Sequence, residues 1–478
     1  MADNECLITS VLGSYQGSIV APAGCGKTDC IAEVVKSVVG SPKCLILTHT
    51  LAGVDSLRQR FREKGVNLQR ADLETIAGWS LRFAAAFPQR SGIATTEPRS
   101  DNWPSVYSAA KRLVEGNFIS GVLKQSYQRV LVDEYQDCTV AQHDLIVALS
   151  RHLPTCVFGD PLQAIFGFRE DKLIDWTSVT SSFPNIGTLQ EPWRWKRVQN
   201  DALGAWLIGI RDQLEQLNQV DLTSAPRCVS QIKPQSSDHQ DLVKANIIAG
   251  KTVRLAGSET LIVIGDKASE RIRGSLAEKL KCSAIEPVTC KALSNFIDRV
   301  QVCTGKDQLA VVLDLADSAM SGLRRVEFER RVIRLAAGWK PRKALTEAER
   351  AALDALSSEN LSHVLRLLEQ LRKQPDVFTF RRELLSAAIK ALKLVVNGEH
   401  SSLDDAAWHV QNRMRHAGRR LGRRSVGSTL LVKGLQFDHA IIIAPEKLSR
   451  NDLYVALTRA SRTITIVSPE QLLKAKAP

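Results

Sequence analysis

The chain has 478 residues, 44% hydrophobic and 24% charged, which allows roughly two to four packed domains and excludes wholesale disorder. Lys and Arg outnumber Asp and Glu by 64 to 51, so the formal charge of +13 suits a polyanionic partner without identifying one. There is no run of about 18 apolar residues, and the opening MADNECLITS lacks the basic start and apolar stretch of a signal peptide. We therefore expect a cytoplasmic protein with no membrane partner.

Ten cysteines are scattered along the chain without any CxxC pair. That spacing argues against the usual zinc sites and against an iron–sulfur cluster. We expect reduced, buried thiols.

Short apolar runs alternate with helical patterns, which is typical of parallel α/β sheets. The runs fall into one group before about residue 190 and another after about residue 255, and this indicates two α/β domains. A stretch rich in Leu, Ala, Arg and Glu at 294–425 predicts helices, and the polar segment 224–240 predicts a loop. The predicted strands are 17–22, 44–48, 129–134, 155–160, 260–266, 439–445 and 463–468.

The first apolar run leads into APAGCGKT, a glycine-containing turn followed by a helical pattern. Such a loop wraps backbone N–H groups around phosphates, with Lys27 reaching the β and γ oxygens and the Thr28 hydroxyl on Mg²⁺. Gly24 and Gly26 are expected to supply unusual backbone angles. The predicted phosphate-binding residues are Ala23, Gly24, Cys25, Gly26, Lys27 and Thr28.

The third apolar run ends in DEYQD, which places Asp133 and Glu134 at the carboxyl end of a strand, where open α/β sheets bind ligands. Asp133 is expected to hold Mg²⁺, and Glu134 to orient and deprotonate the attacking water. The alternative is a strand that merely ends in solvated acids. The phosphate loop upstream favours the first interpretation, a nucleotide hydrolase that uses ATP and Mg²⁺.

Together with these two motifs, the order of several others resembles the UvrD/Rep group of superfamily 1 helicases. The resemblance covers both ends of the chain, whereas 200–255 and 294–425 match poorly. The Tyr-Val-Ala-Leu-Thr-Arg string is its most specific part. The further motifs are LTHTLAGVDSLRQRF (47–61), DLETIAGW (72–79), FGDPLQAIFGFR (158–169), LQEPWRW (189–195), STLLVKGLQFD (428–438) and NDLYVALTRA (451–460).

This resemblance implies roles at the nucleotide. Gln163 corresponds to the γ-phosphate sensor, and Arg194 and Arg459 to the two arginines that stabilise the same phosphate, so that hydrolysis depends on closure of two domains. Trp193 takes the place of the aromatic that stacks on adenine, with plain core packing as the alternative. Gln436 stands where the family usually has a Glu thought to contact the nucleotide sugar.

The resemblance also implies contacts with single-stranded DNA. Thr48 and His49 lie in the segment similar to the family's strand-end DNA contact, although His49 replaces a frequent Phe. Phe166 and Phe168 match aromatics on which bases stack, and Arg169 follows them; an isolated Phe pair is more often core. Phosphate and stacking contacts serve RNA as well as DNA.

We expect an α/β fold with two RecA-like parallel-sheet domains and helical insertions. The first domain would be 1–190, with a reduced insertion at about 84–128. The second would be 191–293 plus 426–478, interrupted by a helical accessory insertion at 294–425. The implied activity is that of an ATP-dependent helicase or translocase on single-stranded DNA or a tailed duplex, moving 3′ to 5′. The reduced first insertion keeps open a DNA-sensing ATPase subunit that regulates a partner such as a nuclease, as in the Gabija anti-phage system.

Overall fold

The structure is a computed structural model that describes residues 2–95, 102–166, 172–236, 239–265, 269–287, 290–416 and 421–476. Its residues form two compact units. Unit 1 comprises Met1–Cys228, Glu446–Arg462 and Leu472–Pro478, and unit 2 comprises Val229–Pro445 and Thr463–Gln471. Within the described ranges, no helix is both long enough and apolar enough to span a membrane.

Unit 1 is built on a six-stranded parallel sheet with the order β3-β2-β4-β5-β1-β6. Because all strands run the same way, the segments that follow them meet at one edge of the sheet. That edge therefore collects the phosphate loop after β1 and the acidic motif after β4. The strands are β1 (Gln16–Val20), β2 (Lys43–Thr48), β3 (Ala71–Thr75), β4 (Tyr127–Val132), β5 (Thr155–Gly159) and β6 (Asn185–Thr188).

Helices cover both faces of this sheet, which explains why its central strands are continuous apolar runs. One core packs around Trp79 and Phe183, and the other around Ile31 and Phe61. The helices of unit 1 are α1 (Ala2–Gly13), α2 (Lys27–Ser37), α3 (Leu51–Glu63), α4 (Ile76–Ala86), α5 (Pro88–Ser91), α6 (Trp103–Glu115), α7 (Ser120–Ser126), α8 (Val140–Ser150), α9 (Trp176–Ser182), α10 (Trp193–Lys196), α11 (Asp201–Asp212) and α22 (Arg450–Leu457).

The second six-stranded sheet has the order β10-β13-β9-β14-β15-β8, and the β10–β13, β13–β9, β9–β14 and β15–β8 pairings are parallel. Strands β9 and β14 form its buried centre. The strands are β8 (Val229–Ile232), β9 (Leu261–Ile264), β10 (Ser283–Ala284), β13 (Arg424–Gly427), β14 (Phe437–Ile443) and β15 (Ala460–Val467). Two small antiparallel pairs join β7 (Gln219–Asp221) to β16 (Leu472–Lys474) and β11 (Met320–Ser321) to β12 (Phe378–Thr379).

Unit 2 also contains a helical cluster with its own core, in which Leu313, Leu368 and Leu392 are fully buried. Thr346 and Glu349 form a capping box at the start of the helix Glu347–Ser357. The helices of unit 2 are α12 (His239–Thr252), α13 (Glu270–Leu280), α14 (Lys291–Val300), α15 (Gly305–Ala319), α16 (Arg325–Ala336), α17 (Glu347–Ser357), α18 (Leu361–Arg372), α19 (Arg382–Val396), α20 (Leu403–His416) and α21 (Thr429–Val432).

The predicted fold class is confirmed, and all seven predicted strands are present. The loop predicted at 224–240 is wrong in part, because 229–232 form the edge strand β8 and α12 begins at His239. The compact units also divide the chain differently from the predicted domains. Segments 191–228 and 446–462 pack in unit 1, because they carry residues that contact the phosphate loop.

The thiols give a first testable expectation. Seven of the ten cysteines are buried, whereas Cys6 is exposed and Cys228 and Cys303 are partly exposed. Burial raises the pKa of Cys25 and of Cys30 to about 12. We expect only the three accessible thiols to react readily with a thiol reagent at pH 8, and all ten to react in denaturant. Fast reaction of Cys25 in the folded protein would contradict this packing.

The same shifts predict a pH dependence of stability. A buried thiol keeps its proton above pH 9, where the thiol of the unfolded chain loses it, so the folded state binds more protons. The free energy of unfolding should therefore fall as pH rises from about 9 towards 12, by up to about 1.4 kcal/mol per pH unit for each such thiol. Denaturant titrations at several alkaline pH values would measure this slope.

Candidate functional site

The phosphate loop links β1 to α2. Gly24 and Gly26 have φ of +75° and +83°, in the left-handed region that the sequence predicts for them. A Cβ on Gly24 would lie 2.7 Å from the ring of Trp195, and one on Gly26 would lie 3.0 Å from that of Trp193. Backbone angle and space therefore both require glycine here.

Lys27 begins α2 and meets both acids that follow β4. Its Nζ lies 3.0 Å from Oδ1 of Asp133 and 2.5 Å from Oε1 of Glu134. Burial disfavours the ammonium, but these two carboxylates outweigh it and raise the pKa of Lys27. Burial also raises the pKa of Asp133, against the opposing effect of Lys27. The predicted phosphate ligand and the predicted metal ligand thus lie together as a buried charge cluster.

Glu134 has a strained backbone, with φ of +55°, which is uncommon for a residue other than glycine. The Nε2 of Gln136 donates to Oε2 of Glu134 at 2.5 Å, and Oε1 of Gln136 accepts from the backbone N–H of Asp160 at 3.0 Å. Gln136 therefore connects the acidic motif to the segment after β5.

Asp160, fully buried at the end of β5, organises the predicted γ-phosphate sensor. Its Oδ2 accepts from Nε2 of Gln163 at 2.9 Å, and its Oδ1 accepts from the N–H of Leu162 at 3.2 Å. The amide of Gln163 is held so that its oxygen lies 3.5 Å from Nη2 of Arg459.

Arg459 is 1% exposed, and its Nε donates to the carbonyl of Val455 at 2.9 Å. Arg194 donates from Nη1 to the carbonyl of Thr458 at 2.5 Å. Burial, reinforced by the charge of Arg194, lowers the pKa of Arg459 to about 9. The positive charges of the two arginines repel each other inside the protein. A polyanion would therefore bind favourably between them.

Two tryptophans of the LQEPWRW motif occupy different environments. Trp195 is 1% exposed, and its Nε1 donates to the carbonyl of Ala460 at 2.8 Å. Trp193 is only partly buried, and the Nζ of Lys196 lies 5.7 Å from its ring centroid. Trp195 therefore occupies a core position, whereas Trp193, beside Gly26, is only partly buried, and its stacking role remains a prediction.

The residues present fit an Mg²⁺–nucleotide complex. Lys27, Arg194 and Arg459 supply positive charge for phosphates, and Asp133 supplies the hard oxygen ligand that Mg²⁺ prefers. In the cluster of Lys27 with two carboxylates, the ammonium group suits the phosphates and the carboxylates suit the cation.

Of the other predicted nucleotide ligands, Cys25 is buried, and Thr28 lies partly buried in the first turn of α2. The backbone N–H of Ala23 donates to the hydroxyl of Tyr454 at 3.2 Å. Gln436 lies in unit 2, just before β14, and is exposed. The roles of these residues remain predictions.

The structure gives less support to the predicted DNA contacts than to the predicted phosphate contacts. Thr48 is 2% exposed at the end of β2, which leaves its side chain little surface for DNA. His49 is partly buried, with Nε2 3.5 Å from Sγ of Cys138, and Phe166 is partly exposed. Phe168 and Arg169 lie outside the described residues. These DNA roles remain predictions.

Sequence reasoning missed the residues that tie these motifs together. Nδ2 of Asn451 donates to the carbonyls of Pro161 at 3.2 Å and Ala164 at 2.9 Å, which joins α22 to the segment after β5. The Arg211 guanidinium contacts both Asp160 and Tyr454. A signal for Arg211 existed, because it lies four residues after Leu207 on the buried face of α11, where an unpaired charge would be costly.

The chain combines a parallel sheet, a phosphate loop and two acidic residues directly after β4. This combination defines the class of nucleoside triphosphatases. Residues 105–184 match the family model of the UvrD/REP helicase N-terminal domain, which confirms the resemblance to that group over this segment. No curated protein matches the chain.

Among solved structures, the chain is similar to an arterivirus nonstructural protein 10 (helicase) in complex with DNA, at 10% identity and a TM-score of 0.36. The alignment covers 98% of this chain and 63% of that one. A second structure of arterivirus nonstructural protein 10 (helicase) has 11% identity and a TM-score of 0.33, with coverages of 98% and 62%. The chain thus spans less than two thirds of these proteins, and likenesses this distant carry no information about its substrate. The family match and the chain's own motifs support a helicase-type NTPase.

Proposed function

We propose that this chain is an Mg²⁺- and ATP-dependent helicase or translocase that moves 3′ to 5′ along single-stranded DNA. One observation carries the proposal. Within unit 1, the phosphate loop, the carboxylates after β4, Gln163, the buried Arg459 and the partly buried Arg194 converge as a set whose charges complement a metal-bound triphosphate. A merely structural ion pair would not require the glycine loop or the strained backbone of Glu134 beside it.

In this proposal, Lys27 and the backbone N–H groups of residues 23–26 bind the phosphates. Thr28 and Asp133 hold Mg²⁺, which when bound neutralises phosphate charge. Trp193 stacks on the adenine, and Gln436 contacts the nucleotide sugar.

Glu134 orients a water molecule and takes its proton while the new bond to the γ-phosphorus forms and the bond to the ADP oxygen breaks. Gln163 contacts the γ-phosphate, and Arg194 and Arg459 stabilise the charge that develops on it. Planar guanidinium groups, with several N–H donors each, suit a charge spread over several oxygens.

We also propose that the domains 1–190 and 191–293 plus 426–478, with 294–425 as an accessory insertion, couple hydrolysis to strand movement. DNA contacts are proposed for Thr48, His49, Phe166, Phe168 and Arg169. Aromatic stacking on bases contributes about 1–3 kcal/mol per base and tolerates any sequence, as a translocating motor requires.

A basic surface on unit 2, which we call the α16 patch, supports a nucleic-acid partner. It extends from α16 into the loop before α17, where Trp339 is 37% exposed and the guanidinium carbon of Arg334 lies 4.5 Å from its ring centroid. Exposed cations at this density favour a phosphate backbone. The exposed cations of the patch are Arg330, Arg334, Lys340, Arg342 and Lys343.

Replacement of Arg330, Arg334 and Lys340 together by alanine should weaken binding of single-stranded DNA. Each lost phosphate contact should reduce the slope of log affinity against log salt by about 0.7. The measurement is fluorescence anisotropy over a salt series. The matched control replaces Arg62, Lys124 and Arg151, three exposed cations of unit 1. If both triple variants weaken DNA binding equally, the α16 patch no longer supports a nucleic-acid partner.

Strand displacement tests the proposed function. Duplexes with a 3′ tail, with a 5′ tail and with blunt ends are incubated with the protein and Mg²⁺–ATP, with Glu134→Gln as the inactive control. We expect displacement of the 3′-tailed duplex alone, with none by the variant. Displacement of only the 5′-tailed duplex would refute the polarity.

The alternative is a DNA-sensing ATPase subunit that regulates a partner such as a nuclease. Among its described residues, the region 84–128 contains the end of α4, the helices α5 to α7 and the first two residues of β4. Hydrolysis stimulated by DNA, with neither displacement of any duplex nor movement along single-stranded DNA, would favour this alternative.

A further inference from the structure

Arg211 is a charged residue on the buried face of a helix. In α11, Leu203, Leu207 and Arg211 recur every fourth residue, and both leucines are at most 1% exposed. The side chain of Arg211 is 10% exposed. An arginine in such a position requires compensating partners.

The partners come from two motifs far apart in the chain. Nη1 of Arg211 donates to both carboxylate oxygens of Asp160, at 2.9 and 3.0 Å, and to the hydroxyl of Tyr454 at 2.8 Å. Burial disfavours its charge, but Asp160 and then Tyr454 outweigh this and raise the pKa of Arg211. The guanidinium therefore stays charged and joins the segment after β5 to α22.

Asp160 and Tyr454 each contact another part of the proposed nucleotide site, whereas the third partner of Arg211, Glu215, lies four residues further along the chain at 3.5 Å. The Asp160 oxygen Oδ2 that Arg211 contacts also accepts from Nε2 of Gln163 at 2.9 Å. The Tyr454 hydroxyl that accepts from Arg211 also accepts from the backbone N–H of Ala23, at 3.2 Å. One guanidinium thus fixes both the carboxylate that orients the sensor and the hydroxyl that contacts the phosphate loop.

We infer that Arg211 is a positioning residue for ATP hydrolysis, which acts through Asp160 on Gln163, while its hydrogen bond to Tyr454 anchors it to α22. The inference rests on the proposed function. Without Arg211, the fully buried carboxylate of Asp160 loses its counter-ion, and its hold on the Gln163 amide weakens. The effect should concern the γ-phosphate, because Gln163 is proposed to contact that group.

Arg211→Met keeps much of the volume of the side chain and removes its charge. We expect kcat to fall about 10- to 100-fold, in line with a misplaced catalytic group. Affinity for ADP should stay within about twofold, whereas affinity for a slowly hydrolysed triphosphate, ATPγS, should fall by about fivefold or more, estimated from the loss of one oriented contact. A role limited to holding the fold would change both affinities alike.

A double-mutant cycle with Gln163→Ala shows whether Arg211 acts through the sensor. We expect Arg211→Met to lower kcat much less in the Gln163→Ala background than in the wild type. An equal fall in both backgrounds would overturn the inference. If Arg211→Met does not fold, Arg211→Lys, which retains the charge but cannot keep all three contacts, takes its place in the same cycle. A kcat for Arg211→Lys equal to that of the wild type would also overturn the inference.

Binding separates this inference from the proposed function. A wild-type protein that hydrolyses no ATP with any nucleic acid would refute the proposed function. The ratio of ATPγS affinity to ADP affinity would still test the positioning role of Arg211, because binding measurements require no ATP hydrolysis. An unchanged ratio in Arg211→Met refutes the inference even where the wild type is an active motor.

Discussion

Arg459→Ala is expected to lower kcat for ATP hydrolysis about 10³-fold, the lower end of the range for arginine fingers. The guanidinium is 1% exposed, beside Gln163, and burial together with Arg194 lowers its pKa. Its charge is therefore poorly stabilised in the free protein, and an anion that develops during hydrolysis would stabilise it. The loss should fall on kcat, with ADP affinity changed little, and steady-state kinetics with ADP titrations would measure both.

Arg462→Ala is the matched control for this variant, because Arg462 is an exposed arginine three residues further along the chain. It should retain the kcat of the wild type. Similar losses in both variants, or a fall in ADP affinity as large as the fall in kcat, would contradict the assignment of Arg459 to the transferring phosphate.

Lys27→Ala is expected to remove detectable hydrolysis and to weaken nucleotide binding by about 10²-fold or more, as for loss of a preorganised charged donor. It should also destabilise the protein by about 3–5 kcal/mol, because two carboxylates lose their buried cation. Nucleotide titrations and denaturant unfolding would measure these effects. Lys36→Ala, an exposed lysine of the same helix, is the control.

The destabilisation in Lys27→Ala should depend on pH. Burial raises the pKa of Asp133 and Lys27 opposes that rise, so its removal should raise the pKa further. When the pKa of a buried acid is raised in the folded state, the free energy of unfolding is highest while the acid is protonated and falls as pH rises. The deficit against the wild type should therefore be larger at pH 8 than at pH 5. A deficit independent of pH would mean that the two carboxylates are not the cause.

The strands that the sequence predicts well are those buried on both faces. β2 and β4 are continuous apolar runs, because helices cover both sides of the parallel sheet. The strands that were missed include β3 and β6 at the edges of the first sheet, and β8 and β10 at the edges of the second. Edge strands bury less surface, so β6, with the sequence NIGT, has no apolar run to recognise.

The candidate site was predictable where its residues lie within one motif. Lys27 with its flanking glycines, and Asp133 with Glu134, are recognisable because a phosphate loop and an acidic strand end are local patterns. The Arg211 link was not predictable, because its hydrogen bond to Tyr454 joins residues 243 positions apart. The spacing of apolar residues in α11 predicts that Arg211 is buried, but it does not predict which residues contact it.

The compact units of the structure depend on contacts that the sequence does not reveal. The motif order resembles a two-domain motor, and that resemblance predicts 191–228 and 446–462 as parts of the second domain. In the structure they belong to unit 1, since Arg194 donates its backbone N–H to the carbonyl of Gly24, and Tyr454 contacts Ala23. Contacts of this kind depend on the folded chain and leave no trace in periodicity or composition.

Steady-state ATP hydrolysis with and without single-stranded DNA tests the central claim most directly, with Lys27→Ala and Arg459→Ala as controls. The proposed motor predicts strong stimulation by DNA in the wild type and its loss in both variants. Robust hydrolysis that is indifferent to DNA and RNA would contradict an autonomous nucleic-acid motor.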